Sequence, residues 1–366
     1  MRMGALVLPL VLRLAIVLAT TAYAGPQEDC EQSSDHQRTI RGCTEVISGT
    51  GSALTYFRRG VAHGAARQSD RAIADFTRAI EIDPRYVEAF HRRGIAYRLT
   101  RDHDRAIADQ NKAIEIDPTY ARAYNSRGNV HDERGDDGRA IADFTKAIEL
   151  DPAYARAYVN RAFVYVRKND IERAAADAKQ AIALSDTVIA REPNDVDAYF
   201  NRGRAYEALE DEDGAIANFS KVIELDPKHI EAYISRGNMY RDRARVPDDE
   251  DYDRAIADFS TAIELDPDDP RPYSERGGAH AGKGEHGRAM ADHNKAIEID
   301  PMSPYSYLHR AIFYILKGED DLARKDFAKA IELDPTVAEV IKALRGFVGG
   351  FDLNQDDGRQ QADPPR

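Results

Sequence analysis

AYNSRGNVHDERGDDGRAIADFTKAIELDP, residues 123–152, is one copy of a sentence that the chain writes eight times across residues 53–335, usually with a period of 34. A repeat of this length means stacked supersecondary units and makes most enzyme architectures poor candidates. Taking the closing proline as position 32, the anchors are Pro84, Pro118, Pro152, Pro193, Pro227, Pro267, Pro301 and Pro335. Position 4 is aromatic in every copy, from Tyr56 and Phe90 through Tyr124 to Tyr307. Position 8 is glycine or alanine (Gly60, Gly94, Gly128, Ala162, Gly203, Gly237, Gly277, Ala311), and position 20 is always alanine. Small residues on facing helical surfaces let two backbones approach closely, while the aromatic fills the space beside them.

Each copy reads as two helices. Acidic turns such as Gly135-Asp136-Asp137 place capping oxygens and negative charge at the start of the second. The Asp-Pro pairs stop it, because proline lacks an amide donor and pushes its predecessor out of helical geometry. This pattern resembles the tetratricopeptide repeat (TPR), and the resemblance covers about three quarters of the chain. It implies an all-α, right-handed α-solenoid of stacked helix-turn-helix units: eight full units, an N-terminal half unit and a C-terminal capping helix. The expected boundaries are a signal peptide at 1–24, a disulfide-stapled cap at 25–52, the solenoid at 53–335, the capping helix at 336–346 and a mostly disordered tail at 347–366.

Two units break the period. In the fourth, Asp186 stands where proline would end the helix and the chain runs on to Pro193. Seven added residues are close to two helical turns, so an extended helix keeps its inward face in phase. In the sixth, six extra residues fall between the helices around Arg245 to Asp251 and read as an acidic surface loop, a tolerated insertion.

The N-terminal stretch carries Arg2, an apolar run over residues 5–19 and Ala22-Tyr23-Ala24, the small-x-small spacing of a cleavage site. The run is too short and interrupted for a membrane span, so the expectation is export to the periplasm or cell exterior with cleavage after Ala24. Cleavage removes Arg2 and Arg13 and no acid, taking the formal charge from -13 to -15. So acidic a chain repels nucleic acid and anionic membranes unless its basic residues are segregated. The two cysteines, Cys30 and Cys43, follow the cleavage site, and oxidising surroundings make a disulfide the default. Residues 38–47 align with residues 71–80, which assigns Cys43 to position 24 and Cys30 to position 11, sites that face one another across a helix pair. The alternative is a reactive redox pair, although no Cys-x-x-Cys is present.

All eight units place arginine at position 7, where the resembled family more often has leucine. Position 23 answers with aspartate in seven of them and Asn218 in the fifth. A guanidinium at a helical seam needs acceptors for its donors, so a structural Arg-Asp ladder is expected in preference to a row of arginines for anionic ligands. No phosphate loop, nucleophile elbow or His-Glu-x-x-His helix occurs, and no catalytic residue or cofactor is assigned. His280 and His293 occupy positions 11 and 24 of the seventh unit. Two polar fillers of a core seam are the expectation there, against a zinc site that would need further ligands.

Function is then sought in the groove. In the resembled family the ligand-contacting side chains lie on the concave face of the first helices. Carried over by position they are Asn125, Asn129, Arg156, Phe163, Arg167, Phe200, Arg204 and Arg241, a mixture suited to a protein or peptide partner. The chaperone-binding members use lysine at position 5 and asparagine at position 9 of their first unit. Phe57 and Val61 stand there, so that activity is not carried over. In the last unit the same face turns apolar at Tyr305, Leu308, Ile312, Ile315 and Leu316, a candidate docking stripe for a partner, a second copy or the tail. The resulting expectation is a non-enzymatic binding scaffold. The alternative is an assembly or regulatory subunit of an envelope complex (secretion, polysaccharide export or wall synthesis) docking through that stripe.

Overall fold

The structure is a computed structural model that describes residues 25–32 and 35–344. The expected signal peptide and tail lie outside the described residues. All described regular structure is helical. The chain divides into two compact units, one up to Ile116 and one from Asp117 onward, where the repeat pattern alone suggested a single array.

The first unit contains α1 (Pro26–Gln32), α2 (His36–Thr50), α3 (Ala53–Ala65), α4 (Ser69–Ile82), α5 (Val87–Leu99) and α6 (His103–Ile116). The second contains α7 (Ala121–Glu133), α8 (Asp137–Leu150), α9 (Ala155–Arg167), α10 (Ile171–Arg191), α11 (Val196–Ala208), α12 (Glu212–Leu225) and α13 (Ile230–Arg243). It continues with α14 (Glu250–Leu265), α15 (Pro270–Gly282), α16 (His286–Ile299), α17 (Pro304–Leu316), α18 (Asp320–Leu333) and α19 (Val337–Leu344). The seven added residues do extend a helix, since α10 runs unbroken to Arg191; the six added residues are shared between the loop at 244–249 and longer α13 and α14, and Asp251, expected in a surface loop, is buried in the first turn of α14.

Local chemistry explains the helix ends. Asp136, Asp170 and Asp211 cap α8, α10 and α12 by accepting from the backbone N–H three residues on. At the other ends, Asp83, Asp151, Asp226, Asp300 and Asp334 each accept from the backbone N–H two residues on, across the intervening proline. This aspartate turn sets the direction of the next helix, which proline alone would only permit. Position 15, before each second helix, is left-handed in every unit except the sixth: Gly135, Gly284 and Gly318, but also Arg67, Arg101, Asn169 and Glu210.

Packing follows the small-residue code. A Cβ added at Gly128 would stand 2.6 Å from the Phe144 ring, and one at Gly60, Gly203 or Gly237 would stand 2.7 Å from Phe76, Phe219 or Phe259. Phe144, Phe219 and Phe259 are completely buried, each contributing roughly 1.5–3 kcal/mol. Where position 24 is not phenylalanine the seam is rebuilt. Ala178 faces Ala162 in the fourth unit, and Gln110 bonds His91 through Nδ1 (3.0 Å) and its backbone oxygen (3.0 Å) in the second. The first helices of adjoining pairs touch one another, as in α3 with α5 or α9 with α11, whereas no two second helices in the described residues pack to that degree. First helices therefore line the inner, concave side of each unit.

The half unit at the N-terminus is a shortened helix pair, α1 and α2, joined by the Cys30–Cys43 disulfide. At the other end, Val337 and Ile341 of α19 share a buried cluster with Leu308, Phe327 and Ala330.

Candidate functional site on the concave face

The arginine ladder is present and belongs to the scaffold. Nε and Nη2 of Arg59, Arg93, Arg127, Arg161, Arg236, Arg276 and Arg310 each make a two-pronged pair with the position-23 aspartate of the same unit, at 2.6–2.8 Å. A third contact was not anticipated. Nη1 reaches back to the preceding second helix, to Thr44 from Arg59, Thr77 from Arg93, Thr145 from Arg161, Ser220 from Arg236, Ser260 from Arg276 and Asn294 from Arg310. One guanidinium thus ties three helices, and the row of hydroxyl and amide residues at position 25 was the sequence signal for it. The position-4 aromatic lies against the same guanidinium, as Tyr124 does for Arg127 at 5.5 Å. With Nε and Nη2 held by an aspartate that also pairs the charge, these arginines serve the scaffold in preference to an anion-binding row.

The groove residues divide into two kinds. The arginines already have acids: Arg156 bonds Asp197 at 2.8 Å, and Arg167 holds both Asp132 and Asp137. Arg241 bonds Glu275 and Asp242, and Arg204 lies 3.1 Å from Glu207. Burial pushes the Glu207 carboxyl above its ordinary range, with Arg204 pulling against it. Burial disfavours the Arg241 charge, but Glu275 and Asp242 outweigh it and its pKa is raised. The other kind is neutral. Asn160 of α9 donates Nδ2 to Oδ1 of Asn125 (3.0 Å) and of Asn129 (2.9 Å) on α7, so the structure brings the two predicted asparagines together through a third. Asn125 is buried and Asn129 half-buried. Phe163, half-buried, carries the Arg204 guanidinium 4.2 Å above its ring. Phe200 stacks 4.9 Å from the His229 ring and packs on Phe219, so part of it serves the core.

The apolar stripe of the last unit is not one exposed surface. Leu308 is only 4% exposed within the cluster that includes Val337 and Ile341, and Ile312 and Ile315 pack half-buried against it. The centre of the candidate stripe is thus core, because α19 contributes to the cluster that Leu308 joins. Tyr305 and Leu316 remain exposed, at 51% and 70%.

His280 and His293 do not converge on a metal. His280 Nδ1 meets Glu285 at 2.7 Å and its Nε2 lies 3.9 Å from Asp292. His293 is buried against Gly277 and the Phe313 ring. Among the described residues no three histidine, cysteine or acidic side chains are grouped to hold a metal, and no helix is long and apolar enough to cross a membrane.

Family models agree with the repeat register. One described as TPR repeat matches residues 132–169 and 248–284, and others described as tetratricopeptide repeat match residues 57–121, 155–187, 196–229 and 304–337. Among solved structures, a chain of the APC/C hetero-tetramer Cut9-Hcn1 is similar with a TM-score of 0.57 and 15% identity, over 85% of this chain and 60% of that one. A tetratricopeptide repeat protein from Parabacteroides merdae ATCC 43184 is 22% identical with a TM-score of 0.47, over 72% of this chain and 98% of its own. YrrB, a TPR protein with an unusual peptide-binding site, is 25% identical with a TM-score of 0.31, over 52% and 92%. No curated protein matches the chain.

Proposed function

The chain belongs to the tetratricopeptide repeat family, and on that premise we propose that it is a non-enzymatic scaffold binding a protein or peptide segment on the concave face of its second unit. Proteins of this fold serve as interaction scaffolds; the choice of face and of ligand chemistry is our reading. The observation that carries it is the Asn125–Asn160–Asn129 amide cluster. Those two bonds use one donor group and two acceptors, and the remaining amide donors and acceptor match the alternating N–H and C=O of an extended backbone. Phe163, one turn on from Asn160 in α9, and Phe200 on the next first helix, α11, present half-buried rings suited to an apolar anchor. The groove arginines are neutralised within the chain, so recognition rests on amide and aromatic contacts and binding depends only weakly on salt.

Export is part of the proposal. It is supported by the small-x-small motif at residues 22–24 and by a disulfide that persists in oxidising compartments. Docking through the last unit is the weaker reading, since its central leucine belongs to the core.

The test is site-specific photocrosslinking from Phe163 and Phe200, with exposed Glu149 on the outer helix α8 as the control position. Crosslinks from the two concave positions only, weakened by Asn129→Ala with Asn160→Ala, are expected. Equal crosslinking from Glu149, or indifference to the asparagine changes, would overturn the reading.

A further inference from the structure

The two ends of the second unit touch. Gly135, in the turn between α7 and α8, lies so close to Thr336, in the turn after α18, that a Cβ on the glycine would stand 3.7 Å from the threonine Cβ and Cγ2. About 200 residues separate the two in sequence. Charged groups of the same turn lie near the start of the last helix pair. Tyr305, at the start of α17, is within electrostatic reach of Arg167, Asp132 and Glu133, and Arg167 is the residue that binds the α7–α8 turn through Asp132 and Asp137.

The kinds of turn that meet define the geometry. In a stack of helix pairs the chain crosses from one edge to the other along each first helix and returns along each second. Turns inside pairs therefore gather on one edge and turns between pairs on the opposite edge. Gly135 belongs to an inside turn of the first pair in this unit, and Thr336 to the turn that follows the last pair. Their contact brings opposite edges together, as when a single superhelical revolution closes onto its own start. A turn closed in this way walls its concave face around the circumference and leaves it open along the axis.

We infer that this close approach is a clasp: the second unit is held as one closed superhelical turn where Gly135 meets Thr336, and a folded partner reaches the concave face only when the clasp parts. The surfaces joined are small, a threonine side chain beside a glycine. The seams between helix pairs bury whole side chains by comparison, so the clasp opens before any seam does. The consequence for access rests on the concave face being the working surface, while the clasp itself does not.

Two measurements on the full-length oxidised protein test these separately. Cys30 and Cys43 are bonded to each other, so introduced cysteines are the reactive ones. Spin labels at Gly138→Cys and Val340→Cys, both exposed sites flanking the contact, should give one short, narrow distance distribution. Tyr305→Glu, which sets a carboxylate opposite Asp132 and Glu133, and separately Thr336→Trp, which overfills the contact, should each make it long and broad with helix content unchanged. A broad distribution in the parent, or no change in either variant, overturns the clasp. In the second measurement Arg204→Cys on the concave face reports access. A bulky polyethylene-glycol maleimide should react severalfold faster once Tyr305→Glu is added, while N-ethylmaleimide reacts at the same rate in both. Equal rates for the bulky reagent, with the distance change intact, would retain the clasp and discard its control of access; the crosslinking test of the concave face is independent of either result.

Discussion

Arg202 takes its counter-charge from Asp186, one helix pair back. Its Nη1 donates to the Asp186 carboxylate on α10, while its Nε donates to the neutral Asn218 oxygen at 2.7 Å. In every other unit the aspartate stands on the arginine's own second helix and the backward contact, where one is described, is a hydroxyl or an amide. Here the two roles are exchanged. The exchange depends on the extension of α10: counted back from Pro193, Asp186 occupies the position of Thr145 or Ser220, because seven residues turn the helix almost twice and restore the phase.

Asp186→Asn should therefore destabilise the protein although the side chain is half exposed, by about 1 kcal/mol, the upper end for a partly exposed pair. Asn218→Asp alone should be close to neutral, and in the double variant it should recover most of the loss by restoring the arrangement of the other units. Urea unfolding of the four proteins measures the coupling. Additivity within about 0.3 kcal/mol would show that the two sites do not share the arginine.

That pair marks the limit of what the sequence revealed. The helix pairs, their stops, the long α10, the disulfide and the Arg-Asp pairs were all legible, because each is repeated or rests on a local rule. The backward reach of the arginines was also encoded, at position 25, yet serine, threonine and asparagine on a helix look like ordinary surface until a partner is seen. The burial of Leu308 was not legible, since it depends on where α19 settles. The contact between Gly135 and Thr336 was invisible as well, for neither residue departs from its repeat. Of the groove residues, position alone placed them on the inner helices; that Arg156, Arg167 and Arg241 already hold acids depends on the pitch of the stack.

His293 should make the second unit acid-sensitive. It stands where other units bury phenylalanine, its Nδ1 is buried without a hydrogen bond, and burial, with His309 and Arg310 nearby, lowers its pKa from 6.5 to about 3. Between those values the unfolded chain binds the proton and the folded chain does not, so this group's contribution to stability falls as pH drops from about 6.5 towards 3 and is constant above. His293→Phe, beside Gly277 as Phe259 is beside Gly237, should remove that part of the pH slope. It should also add about 1–3 kcal/mol at neutral pH by eliminating the orphaned nitrogen. Thermal unfolding from pH 4 to 8 decides it: an unchanged slope in the variant would show that His293 is not the titrating group.

The left-handed residues at position 15 offer a stabilisation. Glu210 has φ 57 where the third, seventh and eighth units use glycine. The conformation costs a residue with a Cβ roughly 1–2 kcal/mol, and glycine loses about 0.5–1 kcal/mol of extra chain freedom on folding. Glu210→Gly should thus gain about 0.5–1 kcal/mol, Asn169→Gly much less because asparagine tolerates the region, and Gly318→Ala should lose stability. A melting temperature lowered by Glu210→Gly would show that its side chain contributes more than the strain removes.

Reduction of the Cys30–Cys43 bond should be felt locally. The short α1 has few means of holding α2: the disulfide, the close approach of Gly42 to Asp29, and Arg38 donating to Asp29 at 2.6 Å. With a sequence separation of 13 the bond contributes about 3 kcal/mol, more than a helix of seven residues can replace. Hydrogen exchange under reducing conditions should show α1 losing protection first and α2 next, while α7 to α18 keep theirs, because the chain divides into separate units after Ile116. Cys30→Ala with Cys43→Ala should reproduce the pattern without reductant. Loss of protection throughout the chain would instead mean that the cap is the nucleus on which the whole array depends, and unchanged protection in α1 would mean that the staple is dispensable.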